Sequence, residues 1–321
     1  MKLLEVEDLS VEYHLPQGKV KAVDEVSLTI DKGEVVGVVG ESGSGKSTLA
    51  HAVIRLVRPP GKIVGGRVLF NGQDLLKLND EDIRKIRGKE ISMIFQDPSS
   101  YLNPVYPVGF QIAEVYEAHN NTNMKKLNGE VVSLLKKVRI TDSEVRVGSY
   151  PYELSGGMKQ RILIAMAIAL KPKLLIADEP TSALDTTIQA EILSLLNELK
   201  EEYGLSILFI SHDIGVVSKI ADRMIVMYAG KVVEEGPVRR IVEEPLHPYT
   251  KALVLATKTA RKKKLFSIPG TPPDMFNLPK GCTFYPRCPY AKETCKEWNY
   301  KMIRDHEGGV ACAIYENTGS S

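Results

Sequence analysis

The stretch Gly40-Glu-Ser-Gly-Ser-Gly45-Lys46-Ser47 fits the pattern G-x-x-x-x-G-K-[ST], in which residue types and spacing serve phosphate chemistry. Gly40, Gly43 and Gly45 let backbone N–H groups converge on phosphate oxygens without a Cβ in the way, and a following helix adds the positive end of its dipole. Ser42 and Ser44 belong to the same loop, and Thr48 follows it. Lys46 would neutralise the β- and γ-phosphates, and Ser47 would ligate Mg²⁺. A second acidic site is needed to hold the metal, and Leu174-Leu-Ile-Ala-Asp178-Glu179 supplies one at the end of an apolar run. Asp178 at the strand tip would reach the Mg²⁺ shell, while Glu179, one residue later, points elsewhere and would polarise water. The bland alternatives are a glycine-rich turn and a solvated acidic turn. A strand–loop–helix context for the first segment and a strand's carboxyl end for the second favour the chemical readings.

These residues need particular elements to position them. Val35–Val39 is a short β-branched run bounded by Gly33 and Gly40, as a buried parallel strand requires. Leu174–Ala177 and Ile207–Ile210 have the same character, and between them Ile188, Ile192, Leu195, Leu196 and Leu199 mark one apolar helix face. Strand, helix, strand in this order predicts a crossover within a parallel sheet. Val6–Tyr13, Val26–Ile30, Val68–Phe70, Met224–Tyr228 and Lys231–Glu235 read as antiparallel β, the last two joined around Ala229-Gly230. The stretch from about 97 to 170 lacks strand signals and reads as mostly helical.

With 321 residues, 43% hydrophobic and 26% charged, the chain can bury a core without disulfides, and two folded units are expected. A net charge of +2 implies no dedicated nucleic-acid binder, so any phosphate binding must be local. The longest apolar run, Ile162–Leu170, is far short of the roughly 20 residues that span a bilayer. Met1–Asp8 contains three carboxylates where a signal peptide needs an apolar core, so a cytosolic protein is expected. The first 235 residues carry 28 basic and 32 acidic side chains, whereas the last 86 carry 14 and 8 and hold nine of the 18 prolines and all four cysteines. A boundary near Gly236-Pro237 follows, with a loop-rich tail held by something other than a regular hydrophobic core and lying outside the stretch that carries the phosphate chemistry.

Leu154-Ser155-Gly156-Gly157-Met158-Lys159-Gln160 resembles the signature motif of ATP-binding-cassette ATPases. Physically, Ser155 with Gly156 and Gly157 opens a helix whose N-terminus offers a hydroxyl and backbone donors to an anion. The resemblance implies an α/β fold: a P-loop cassette core over 1–236, with an antiparallel β subdomain and a helical subdomain over about 97–170. It implies Gln96 as the glutamine that contacts metal and water and senses a membrane partner, and Ser182-Ala-Leu-Asp185 as the D-loop, Asp185 included among the nucleotide residues. His212 would be the switch histidine on the γ-phosphate, and Tyr13 the aromatic that stacks on adenine. It further implies a head-to-tail pair of cassettes, with two ATP molecules sandwiched between the phosphate loop of one and the signature motif of the other.

Pro245-Leu-His-Pro-Tyr-Thr250, Ile268-Pro-Gly-Thr-Pro-Pro273 and the spacing of Cys282, Cys288 and Cys295 resemble the C-terminal extension of ATPases from dipeptide and oligopeptide importers, here 237–321. That implies a motor at the cytoplasmic face of the membrane, working with two permease subunits, an extracytoplasmic solute-binding protein and a paralogous ATPase as heterodimer partner. Relatives of this kind also carry oligosaccharides or nickel complexes, and a soluble non-transport cassette ATPase is the alternative of a different class. Cys282, Cys288, Cys295 and Cys312 suit a [4Fe–4S] cluster in a basic tail, while zinc, disulfides and free thiols remain open. The run Arg261–Lys264 reads as a solvated linker.

Overall fold

The computed structural model describes residues 1–120, 127–182, 184–259 and 268–316; the basic run Arg261–Lys264 lies outside them. Five strands come first: β1 (Lys2–Leu15), β2 (Gly18–Asp31), β3 (Val35–Val39), β4 (Gly61–Phe70) and β5 (Gln73–Asp74). There follow β6 (Ile91–Ile94), β7 (Leu174–Asp178), β8 (Ser206–Ser211), β9 (Arg223–Tyr228) and β10 (Lys231–Pro237), and the short β11 (Ile303–Arg304) and β12 (Gly309–Val310). Contacts divide the chain into two compact units. A phosphate-loop unit contains 2–30, 35–76 and 209–321, and a helical unit contains residue 1, 31–34 and 77–208.

In the phosphate-loop unit, β2, β1, β4 and β5 form an antiparallel sheet in that order. Leu4, Val6, Leu9 and Val11 are buried along β1, so the period of two slips by one residue between Val6 and Leu9. The ladder with β4 is irregular there, and Asp8 takes a positive φ of 45°, as a bulge does when it re-aims a strand. The second sheet of this unit runs β11-β12-β10-β9-β3. All five residues of β3 are buried, and β3 pairs with β9 in parallel, Val38 opposite Ile225. β9 and β10 form the expected hairpin, turning through Ala229 and Gly230 at φ 47° and 82°.

The tail is loop-rich, as expected, but an apolar core does hold it. Phe284, Trp298, Val310 and Ala311 are buried, and the Phe284 ring meets Tyr228 of β9 edge-on at 5.2 Å and Tyr249 at 5.4 Å. Val310 sits on a two-residue strand, Phe284 immediately before a single-turn helix, and Trp298 and Ala311 in loop, so no stretch is long enough to show periodicity and the core is invisible in a hydrophobic pattern. β12 adds to the edge of β10, Glu234 opposite Val310, which removes an exposed strand edge.

In the helical unit, β6 and β7 pair in parallel, Ile91 opposite Leu174, and β7 lies between β6 and β8. The chain passes into the phosphate-loop unit within β8. Helices Val108–Asn120, Asn128–Lys137 and Gly156–Ile168 fill the stretch expected to be helical. Ile192, Leu195, Leu196 and Leu199 form the buried stripe of helix Thr186–Tyr203; Ile188, nearer its start, is only half-buried. No helix among the described residues is long and apolar enough to cross a membrane.

Candidate nucleotide site

β3 ends at Val39, residues 40–45 turn, and helix Lys46–Val53 begins. The turn has no room for a side chain at Gly40 or Gly45, where a Cβ would lie 2.2 and 2.1 Å from a backbone carbonyl oxygen. At Gly45, φ is 101° and a Cβ would lie 2.1 Å from the carbonyl oxygen of Ala22, so only glycine fits. Ser44 and Lys46 are buried. The Lys46 ammonium donates to the carbonyls of Gly40 and Glu41, each at 2.9 Å, and to Ser44 Oγ at 3.3 Å. Gly230 N–H donates to the Ser44 carbonyl at 3.0 Å, tying the loop to the β9–β10 turn. Tyr13 is half-buried on β1 opposite Gly61, where a Cβ would come within 2.9 Å of its ring. His212 is exposed immediately after β8, ahead of a helical turn that Asp213 caps through the Gly215 N–H at 2.8 Å.

Glu41 was no sequence candidate, yet it is anchored through both its backbone and its carboxylate. Its N–H donates to the Tyr249 hydroxyl at 2.7 Å. Its carboxylate accepts two bonds from Arg287, at 2.7 and 3.0 Å. Both partners lie in the tail, so the expectation that the tail stands apart from the ATP-binding stretch does not hold. Tyr249 belongs to the segment that carried the family resemblance, but nothing local in the sequence marks a partner 208 or 246 residues away.

In the helical unit, Asp178 closes β7 and is buried. Glu179 follows with a φ of 47°, a left-handed conformation that non-glycine residues adopt at a cost and that recurs at functional sites. Gln96 Nε2 donates to Glu179 Oε2 at 3.0 Å, so two of the three catalytic candidates meet within this unit. Ser155 caps helix Gly156–Ile168, its Oγ accepting from Met158 N–H at 3.3 Å, and Ser155 and Gly156 are exposed. A Cβ at Gly157 would come within 2.9 Å of Ile188 Cγ2, so glycine lets the helices starting at Gly156 and Thr186 approach. Asp185 Oδ1 accepts from the N–H groups of Thr187 and Ile188, which makes it the N-cap of helix Thr186–Tyr203.

The four thiols lie in the phosphate-loop unit, Cys295 and Cys312 buried, Cys282 and Cys288 half-buried, and none is in a disulfide. Burial pushes the Cys282 thiol up to about 11, and the other three cysteines act in the same direction; burial also raises Cys288 and Cys312. The four are thus within electrostatic reach of one another. Their arrangement is not that of a ligand cage: among the described residues, no group of three or more His, Cys, Asp or Glu side chains is placed to hold a metal ion.

A family model described as ABC transporter matches residues 23–182, and one described as oligopeptide/dipeptide transporter, C-terminal region, matches 233–295. The chain is 47% identical over 298 residues to the dipeptide transport ATP-binding protein DppD of Escherichia coli (strain K12), covering 92% of this chain and 91% of that protein. It is 49% identical over 307 residues to the oligopeptide transport ATP-binding protein OppD of Bacillus subtilis (strain 168), covering 94% and 86%. Among solved structures, a dimeric ATP-binding cassette in a post-hydrolysis state bound to ADP and Pi aligns with a TM-score of 0.66 at 29% identity, over 74% of this chain and 99% of that one. CbiO1 from Clostridium perfringens, part of an ABC transporter complex, aligns at 0.65 and 28% over 82% and 96%. Identity at this level through both the cassette and the tail makes the chain a member of the dipeptide and oligopeptide branch of ATP-binding-cassette transporter proteins, an ATPase whose expected ligands are ATP and Mg²⁺.

Proposed function

We propose that this ATPase is the motor subunit of an importer of di- or oligopeptides, at the cytoplasmic face of the membrane. The observation that carries the reading is the 47% identity to DppD over 298 residues, which takes in the tail as well as the cassette. The family matches at 23–182 and 233–295 support a cassette over 1–236 and an extension over 237–321.

Within the cassette, Gly40, Ser42–Thr48 and Tyr13 bind the nucleotide, and Ser47, Gln96 and Asp178 are the candidate Mg²⁺ ligands. Mg²⁺ when bound neutralises charge on the β- and γ-phosphates. Glu179 accepts a proton from the attacking water, Gln96 orients it, and His212 donates to the γ-phosphate. The bond from Gln96 to Glu179 supports that division of labour. Ser155, Gly156, Gly157 and Asp185 serve the nucleotide of a partner cassette, a paralogous subunit in a heterodimer. The exposure of Ser155 and Gly156 supports this. Two permeases and a solute-binding protein complete the assembly.

For the tail, the finer reading is a structural [4Fe–4S] cluster on Cys282, Cys288, Cys295 and Cys312. The donor chemistry and the mutual reach of the thiols support it; the side chains would have to rotate into a cage. Anaerobically purified protein would contain about four iron and four sulfide per chain; stoichiometric zinc or no metal refutes the cluster. The transport reading is tested by purifying the tagged chain from membranes and reconstituting what comes with it. Permeases should co-purify, and vesicles should take up labelled dipeptides or oligopeptides with ATP. Recovery of ribosomes, or uptake confined to oligosaccharides, would overturn it.

A further inference from the structure

A carboxylate is a poor choice at the second position of a loop that must attract a triphosphate, because its charge opposes the ligand's at short range. Glu41 occupies that position, and the structure disarms it. Arg287, its side chain only 5% exposed, forks onto both carboxylate oxygens at 2.7 and 3.0 Å. This bidentate geometry cancels the charge and fixes the direction of the side chain. Arg287 is itself immobilised: Nε donates to the Pro269 carbonyl at 2.8 Å, and the guanidinium lies against the rings of Tyr228 and Phe284 at 5.9 and 6.0 Å.

The backbone of the same residue is held independently. Fully buried Tyr249 receives the Glu41 N–H, and its own N–H donates to His247 Nδ1 at 3.1 Å. Glu234 of β10 accepts the N–H groups of Leu246 and His247 at 2.7 and 2.9 Å. The Glu41 carbonyl in turn receives Lys46 Nζ. A continuous set of bonds therefore runs from the tail through Glu41 to the lysine of the phosphate loop.

We propose that Arg287, assisted by Tyr249, is a positioning residue for the nucleotide: by neutralising and orienting Glu41 it sets the affinity of the phosphate loop, so the C-terminal extension is part of the ATP site. The proposal rests on the loop binding ATP, and Lys46→Ala tests that premise separately, since normal MgATP binding by that variant would defeat the site assignment itself.

The discriminating experiment measures MgATP binding to the full-length chain by calorimetry, and KM and kcat in the assembled transporter. Arg287→Ala should weaken MgATP binding about tenfold, the scale of a lost charged hydrogen bond, and raise KM alike with kcat within about twofold. Adding Glu41→Gln to Arg287→Ala should restore most of the affinity, because the exposed negative charge is then gone. A purely structural loss in the tail would not respond to a change in the loop. Tyr249→Phe, which keeps the ring and removes the acceptor, should weaken binding about threefold, and it serves as the test if Arg287→Ala does not fold. Wild-type affinity in a folded Arg287→Ala chain, or a defect that Glu41→Gln fails to relieve, overturns the proposal; if Arg287→Ala does not fold, wild-type affinity in Tyr249→Phe does so.

Discussion

The phosphate loop and the signature turn are both glycine-bearing turns that open a helix, yet they are held in opposite ways. Ser155 caps its helix through an N–H three residues on, and Glu153 reaches back to the Tyr150 N–H at 2.6 Å, so the signature turn is shaped by its own neighbours. The phosphate loop leans on Ala22, Gly230, Tyr249 and Arg287, all from distant parts of the chain. A locally capped turn keeps its shape while its helix stands. A loop clamped from a distance responds to whatever alters the clamp, so the tail bears directly on the shape of the phosphate loop.

Four changes break or sharpen this contrast, in falling order of effect. Glu179→Gln should lower kcat by about 10²–10⁴, the worth of a general base, while MgATP still binds; single-turnover kinetics would show it, and wild-type turnover would remove Glu179 from the chemistry. Lys46→Ala should cost about tenfold to a hundredfold in MgATP affinity, read by calorimetry.

The third concerns acid. Burial pushes His247 down to about 3 from an ordinary 6.5, so the folded chain keeps a neutral ring where the unfolded chain binds a proton. Stability should therefore fall as pH drops from about 6.5 toward about 3, by up to roughly 1.4 kcal/mol per unit from this group. His247→Asn retains an acceptor for the Tyr249 N–H but does not titrate, and urea unfolding at several pH values should show a shallower slope; an unchanged slope would exclude His247 as the source. The smallest effect is expected from Ser155→Ala, about 1 kcal/mol for a lost N-cap. Hydrogen exchange should then rise at 156–160 and not at 41–47, whereas Arg287→Ala should show the reverse; exchange rising in both places for either variant would erase the distinction.

Much of the cassette is legible in the amino-acid sequence alone. β3 reads from its continuous β-branched run, the β9–β10 hairpin from its turn residues, and helix Thr186–Tyr203 from apolar positions repeating every 3.6 residues, because each signal lies among near neighbours in the chain. The phosphate-site glycines and the Asp178-Glu179 pair were legible for a different reason: their chemistry demands residue types at fixed spacing. The tail's core escaped because Phe284, Trp298 and Val310 occupy elements of two to four residues or loop between them. The bond between Gln96 and Glu179 joins residues 83 apart, and only the family resemblance suggested that both serve one reaction.

By itself, the order of residues determined where a glycine-rich loop meets a helix, which strand ends in paired acids, and to which family the chain belongs. Those properties depend on interactions within a few residues, where backbone geometry and side-chain type leave few choices. Only the tertiary structure decided that Glu41 in the phosphate loop would be matched by Arg287 and Tyr249 of the tail. An ion pair across 246 residues has no local pattern. It exists because burying Tyr228, Tyr249 and Phe284 together brings the two segments to one place, and a guanidinium enclosed there is stable only with a carboxylate to meet it.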